Sequence, residues 1–496
     1  MKSTPVSTIV LVILLTVWGP LAASQASGSD ATRGSAPPVL SPPPPVTTEH
    51  TITTEGRTLT YRATVGYLTQ HFEKETPQAH FFYTAYVMKG ADPARRPLTF
   101  CFNGGPGSSS FYLHLLTIGP RRAVLTENGD TPAPPPRLED NPDTWLAVSD
   151  IVMVDPIGTG FSRPAPGVDG KIFWGVHEDA RSVADFVRMF LTENSRWLSP
   201  IYIAGESYGG IRGALLAREL QTHNQIGLDI NGLITISPAL DLNFVFVRDH
   251  DALGLALYVP TYCATAWFHR KTDPKYRNDF NRLEADARAF AYERYLPALL
   301  RGNRLLQTDM EAVAREMVSL TGLSLAFILH HNLRITPEEF RAELLRERRL
   351  PLDRIDARFK SGTFDLTQTL SPLINHYLRE ELGYRTPRPY TNHAAVFTSW
   401  KWDPFTLTVL PQLAETMNDN PAMKVFCAAG YYDFACPFSC IDHCLDQLQL
   451  DAGLTENIIR KYYHAGHMVY IPSAELKRFN DDVKRFIRST SLGGGR

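Results

Sequence analysis

Three residues far apart in the chain have the side chains for nucleophilic catalysis: Ser207, Asp433 and His467. Ser207 stands in Gly205-Glu-Ser-Tyr-Gly209, after an apolar β-branched run (Ile201–Ala204) and before an Ala/Leu-rich helical pattern (Gly213–Gln221). A sharp turn between a strand and a helix lifts a serine hydroxyl above a sheet edge, and the flanking glycines let backbones pass closely. A serine in this role needs a base to take its proton and an acid to orient the base. On such a sheet they follow in the order serine, acid, histidine. Asp433 fits the acid position, where Gly430-Tyr-Tyr-Asp433 turns out of a strand-like run at Met423–Ala428. Its competing use is to cap the helical stretch Cys436–Leu448. His467 fits the base position in Tyr463-His-Ala-Gly-His-Met468, and flexible Gly466 favours it over His464. The developing oxyanion needs two backbone N–H groups. Tyr208 supplies one, and the glycine-rich loop Phe102-Asn-Gly-Gly-Pro-Gly107 after the strand Leu98–Phe102 can supply the other. No Gly-Lys-Ser/Thr follows that loop, which excludes a phosphate loop, and Asp155-Pro-Ile-Gly-Thr-Gly-Phe161 lacks the third glycine of a dinucleotide fingerprint.

The elements that must position these residues alternate. Leu98–Phe102, Asp150–Asp155, Ile201–Ala204, Gly232–Ser237 and Met423–Ala428 read as buried strands, and Arg181–Leu191 and Gly213–Gln221 as helices. That alternation predicts an α/β fold with a mostly parallel central sheet flanked by helices. Thr51–Tyr67 and His80–Met88, rich in Thr, Tyr, Phe and Val, predict antiparallel strands at its edge. The first part of this core is read as 47–240 and the second as 396–496. Between them, residues 241–395 carry helical, charge-rich stretches (Lys275–Arg294, Thr308–Leu320, Pro337–Arg349, Pro372–Leu382), predicting a helical cap insertion over the edge where the serine points.

Residues 1–26 have the pattern of a secretory signal: Lys2, the apolar run Ile9–Trp18 and the small residues Ser24 and Ala26. An apolar run that short does not span a bilayer, which takes about 20 residues, so the expectation is an exported protein, periplasmic or extracellular, without stable membrane insertion after cleavage. Residues 27–46 are Pro-, Ser- and Gly-rich and read as a disordered linker. With 50 basic against 52 acidic residues, nothing in the charge points to nucleic acid. Cys436, Cys440 and Cys444 recur every fourth residue, near His443. That spacing is not the usual zinc knuckle, so no metal is expected, and a disulfide from one of the three to Cys263 is preferred. Cys101 and Cys427 read as buried thiols.

Together Asn103-Gly-Gly-Pro-Gly107, Gly119-Pro120, Asp155-Pro-x-Gly-x-Gly-Phe-Ser162, Gly205-Glu-Ser-Tyr-Gly209, Gly430-x-x-Asp433 and Ala465-Gly-His-Met468 resemble the serine carboxypeptidase family of α/β-hydrolases, in family order from about residue 50 onward. The resemblance implies an α/β-hydrolase fold, a peptide substrate, no cofactor, a triad of Ser207, Asp433 and His467, and an oxyanion hole of Gly105 and Tyr208. It also implies binding of the substrate's terminal carboxylate by Asn103, Gly104 and Glu206, with Glu206 protonated, because a charged glutamate would repel it. The chain departs from the family pattern at Thr117, where a second glutamate is common, at Cys101 in place of tryptophan, and at Ser108 in place of cysteine. Without that second carboxyl group, Glu206 is expected to ionise more readily. Arg121 and Arg122 could supply a compensating charge, but read more simply as an exposed basic pair.

Overall fold

The computed structural model describes residues 42–71, 74, 76–222, 227–349, 351–362, 365–402 and 408–491. The signal reading at 1–26 and most of the 27–46 linker reading lie outside them. Twelve strands follow in chain order: β1 (Val46–Thr54), β2 (Arg57–Gln70), β3 (Ala79–Met88), β4 (Leu98–Phe102), β5 (Arg121–Ala123), β6 (Leu138–Asp140), β7 (Asp150–Val154), β8 (Arg163–Pro164), β9 (Ile201–Glu206), β10 (Gly232–Ile236), β11 (Lys424–Gly430) and β12 (Ile458–Tyr463). The main sheet runs β1-β2-β3-β7-β4-β9-β10-β11-β12, with β8 on β3; β5 and β6 form a separate hairpin. β1, β2, β3 and β7 pair antiparallel, and every pairing from β7 to β12 is parallel.

Both faces of the parallel part are covered, which is why its strands read as unbroken apolar runs. Along β9, Ile201 and Ile203 face one buried cluster with helices Val176–Glu193 and Tyr208–Thr222. Tyr202 and Ala204 face the other, where the C-terminal helix Ser473–Ser491 inserts Phe479, Val483, Phe486 and Ile487. Each such side chain contributes about 1.5–3 kcal/mol by leaving water.

The described residues between β10 and β11 form helices, turns and loops, and the first α-helix among them is one the periodicity does not reveal. Ala252–Phe268 is apolar on nearly all sides, contains Pro260, and sits in a third buried cluster. Of the expected helical stretches, the last begins earlier, at Thr367. No helix among the described residues is long and apolar enough to cross a membrane.

The six cysteines are free and buried. The expected bridge to Cys263 is therefore corrected. Cys436 precedes the helix Phe438–Asp446 and packs with Cys444 in the sheet cluster, while Cys440 joins Cys263 in the helical cluster as an apolar neighbour. Burial pushes the Cys263, Cys436, Cys440 and Cys444 thiols up, which keeps them protonated.

Candidate active site

β9 ends at Glu206, and Ser207 turns the chain with φ 60°, a left-handed conformation outside a glycine. Such a residue persists only when its surroundings fix it. Here Ser207 N–H donates to Ile236 O at the end of β10 (2.9 Å), and Ser207 O accepts from Gly210 and Ala239 N–H (2.8 and 3.0 Å). A Cβ on Gly205 would come within 2.1 Å of Gly209 O, so the turn cannot close with a larger residue there.

The histidine is anchored one residue further on. Ser237 Oγ donates to His467 O at 2.7 Å, and His467 N–H donates to Ile355 O at 2.7 Å. Ser207 and His467 thus hang from consecutive residues, Ile236 and Ser237. Asp433, fully buried, accepts from His467 Nδ1 at 2.7 Å through Oδ2. A carboxylate only accepts, so Nδ1 carries the proton and Nε2 is left as the free base. Burial disfavours the imidazolium, but the charges of Asp433 and Glu206 outweigh it and raise the His467 pKa. Asp433 Oδ1 also accepts from Ala435 and Cys436 N–H (2.7 and 3.0 Å). Asp433 thus holds the histidine through one oxygen and the turn before the helix through the other; the helix Phe438–Asp446 itself follows Pro437 and takes no side-chain cap. His464 bonds Tyr432 OH instead (3.0 Å).

The glycine loop after β4 lies against the turn. A Cβ on Gly104 would meet Tyr208 N at 2.5 Å and Glu206 O at 2.6 Å, so the loop can approach the Tyr208 amide only as glycine. This places the Gly105 and Tyr208 segments side by side. The loop is held from three directions. Asp155 Oδ1 accepts from Ser110 N–H (2.9 Å) and Tyr390 OH (3.2 Å), giving the Asp-Pro-x-Gly motif a supporting task. A returning strap bonds Ser109 N–H to Asn392 O (2.9 Å), Ala394 N–H to Gly107 O (2.7 Å) and Ser108 Oγ to His393 Nδ1 (3.0 Å). Ser108, the departure from cysteine, thus enters a noncovalent clamp.

From below, fully buried Arg212 donates Nη1 to Asn103 O (2.6 Å) and Nε to Asp179 Oδ2 (2.7 Å), with its guanidinium 5.0 Å from the Phe102 ring centre. Removing one partner of a buried pair leaves an uncompensated charge, at a cost of about 3–5 kcal/mol. Arg212→Leu is expected to lower stability to urea by that amount. Arg212→Leu/Asp179→Leu should be less damaging than the single change; if it is worse, the stranded charge is not the cause.

Asn103 Nδ2 donates to Glu206 Oε2, and Tyr470 OH to Glu206 Oε1 (2.6 Å). Burial pushes the Glu206 carboxyl up to about 7, against the lowering effects of His467, Tyr470 and Asn103, with Asp433 adding to the rise. Loss of water thus keeps Glu206 largely protonated at mildly acidic pH even with no second carboxyl group at Thr117. Arg121 pairs with Asp140 and Glu381, and Arg122 with Glu139 and Asp143, so both are committed on the surface. Of the eight residues predicted from sequence, Asn103 bonds Glu206, Gly104 lies against the Tyr208 amide, Asp433 bonds His467, and the charges of His467 and Glu206 interact; Gly105 and Ser207 adjoin them in the chain. Tyr470, Ser237, Arg212 and Asp179 were not foreseen. Among the described residues no group of three His, Cys, Asp or Glu could hold a metal.

A mostly parallel sheet between helical layers, with a left-handed serine at the end of a central strand, is the fold of an α/β-hydrolase. A family model of serine carboxypeptidases matches residues 54–464, and the chain belongs to that family. Serine carboxypeptidase-like 17 of Arabidopsis thaliana is 31% identical over 169 residues, 32% of this chain and 37% of the relative. Carboxypeptidase Y of Saccharomyces cerevisiae is 25% identical over 171 residues, 34% of this chain and 29% of the relative. The matched stretch is thus well under half the length of these relatives. A prohormone-processing carboxypeptidase from Saccharomyces cerevisiae superposes with a TM-score of 0.53 at 16% identity, covering 86% of this chain and 91% of that one, a likeness of fold.

Proposed function

We propose that this protein is an exported serine-type carboxypeptidase that releases C-terminal residues from peptides through an acyl-enzyme, with residues 241–395 shaping the site as a cap. The observation that carries this reading is the Asn103–Glu206 pair beside the nucleophile. The pair supports the reading because it offers a substrate's end a carboxyl group that burial keeps largely neutral at mildly acidic pH. His467 Nε2 takes the proton of Ser207 Oγ as it attacks the last peptide carbonyl. The oxyanion is met by the Gly105 and Tyr208 amides. His467⁺, stabilised by Asp433, passes its proton to the leaving amine. Water then enters by the same base and releases the shortened peptide. The protonated Glu206 and Asn103 Nδ2 donate to the terminal carboxylate.

The signs of the two titrations define the test. Carboxylate binding needs protonated Glu206, so it is lost as pH rises through about 7. The base needs neutral His467, so catalysis is lost as pH falls through its raised pKa. For a blocked dipeptide with a free C-terminus, kcat/KM is expected to fall about tenfold per pH unit above 7. The methyl ester of the same dipeptide, with no carboxylate, should show the His467 limb alone. Hydrolysis of the ester with the free acid untouched at every pH would sink the peptidase reading.

A further inference from the structure

Thr117, where the family commonly has a second glutamate, is turned away from the site. Its hydroxyl donates to Asn480 Oδ1 (3.0 Å), which also accepts from Trp145 Nε1 (2.7 Å). The neighbour that Glu206 has instead is a phenol from the opposite end of the chain. Glu206 Oε1 accepts from Tyr470 OH at 2.6 Å, with both side chains buried.

The direction of each hydrogen bond in this group can be traced from a backbone amide. Leu113 N–H donates to Asn103 Oδ1 at 3.1 Å, so the amide nitrogen of Asn103 must face Glu206. That nitrogen donates one proton to Glu206 Oε2, which leaves its second for a ligand. The Tyr470 phenol has one proton to give, and Glu206 Oε1 receives it.

We propose that Tyr470 is a positioning residue for Glu206: by filling Oε1 with a fixed donor, it confines the carboxyl proton to Oε2, on the Asn103 side, where it serves a C-terminal carboxylate. A neutral carboxyl group has one hydroxyl and one carbonyl oxygen. In this arrangement the Tyr470 proton occupies the contact at Oε1, which serves as the carbonyl oxygen; Oε2 accepts from Asn103 Nδ2 through one lone pair and carries the O–H toward the ligand. A second glutamate at this point would compete for the same proton. The phenol does not, because burial holds its own ionisation well above the usual range. The other groups whose charge or dipole bears on Glu206 are His467, Asp433, Tyr112 and Cys436, and none of them bonds Oε1.

This inference rests on Glu206 being the carboxylate ligand, so the experiment includes Glu206→Gln beside Tyr470→Phe. Each is assayed from pH 5 to 8.5 on a blocked dipeptide and on its methyl ester. Tyr470→Phe is expected to raise KM for the free acid roughly fivefold to tenfold below pH 6, the worth of about one hydrogen bond. The change with the ester should be several times smaller. Because Tyr470 also stabilises ionised Glu206, its removal should move the alkaline limb for the free acid to higher pH. In isotope-edited infrared spectra, the protonated Glu206 C=O band should rise in wavenumber when its donor is lost. Equal losses on acid and ester, with the limb and the band unmoved, would overturn the assignment and leave Tyr470 a packing residue. If Glu206→Gln alters the acid-to-ester ratio and Tyr470→Phe does not, the Tyr470 inference alone fails. If Glu206→Gln leaves that ratio unchanged, the reading of Glu206 fails beneath it.

Discussion

Ser207→Ala is expected to reduce kcat by roughly 10⁴–10⁶-fold while leaving the fold in place. The loss is large because the proposed reaction passes through a covalent bond to Ser207 Oγ, an atom that alanine lacks. The stability cost is small, because the backbone at Ser207 is fixed by bonds to Ile236, Gly210 and Ala239 that use its N–H and C=O and not its hydroxyl. Serine and alanine also face the same left-handed strain at φ 60°. Substrate affinity should persist, since Asn103, Gly104 and Glu206 are untouched. The measurement is single-turnover hydrolysis of a chromogenic ester, beside a urea titration and equilibrium binding of a free-acid dipeptide. A surviving acyl-enzyme burst, or more than a hundredth of wild-type turnover, would remove Ser207 from the mechanism.

Much of this site could be read in the sequence because its parts lie at ends of buried strands, and such strands announce themselves. β4, β7, β9, β10 and β11 are apolar on both faces, so they stand out as continuous runs, and the loops following them are easily located. β12 escaped notice because it is an edge strand, half-exposed along most of its length and carrying Arg460 and Lys461. The helix Ala252–Phe268 escaped for the opposite reason: buried nearly all round, it has no polar stripe to reveal a helical period. Tyr470 had no local signal, since its partner is 264 residues away and only the folded sheet joins them. Arg212 likewise reads as an ordinary charged residue of its helix until Asp179 and the Asn103 carbonyl are seen against it. The cysteine expectation failed because four-residue spacing did not reveal that the helix starts only at Phe438, after Cys436, nor that Cys440 and Cys444 pack into different clusters.

Asp433 offers the sharpest separation of catalysis from architecture, because its two oxygens have different tasks. Oδ2 accepts from His467 Nδ1, and Oδ1 from the N–H groups of Ala435 and Cys436. In Asp433→Asn, the amide oxygen can keep the two backbone donors, which turns its NH₂ toward the imidazole. Two donors then face each other, so His467 must carry its proton on Nε2, the nitrogen that should receive the Ser207 proton. A fall in kcat of about 10⁴-fold is expected. Asp433→Ala should be equally inactive but less stable, because two buried N–H groups lose their acceptor, at about 1–3 kcal/mol each. Stability against pH adds a second signature. The folded His467 pKa lies above its ordinary value, so the pair stabilises fully below that ordinary value, and the stabilisation is lost as pH rises through the raised one. The stability gap between wild type and Asp433→Asn should therefore be wider at pH 5 than at pH 9. Urea titrations of the three proteins at both pH values, beside their kcat, decide the matter. An asparagine variant with more than a tenth of wild-type turnover would mean that Asp433 holds the turn and nothing else.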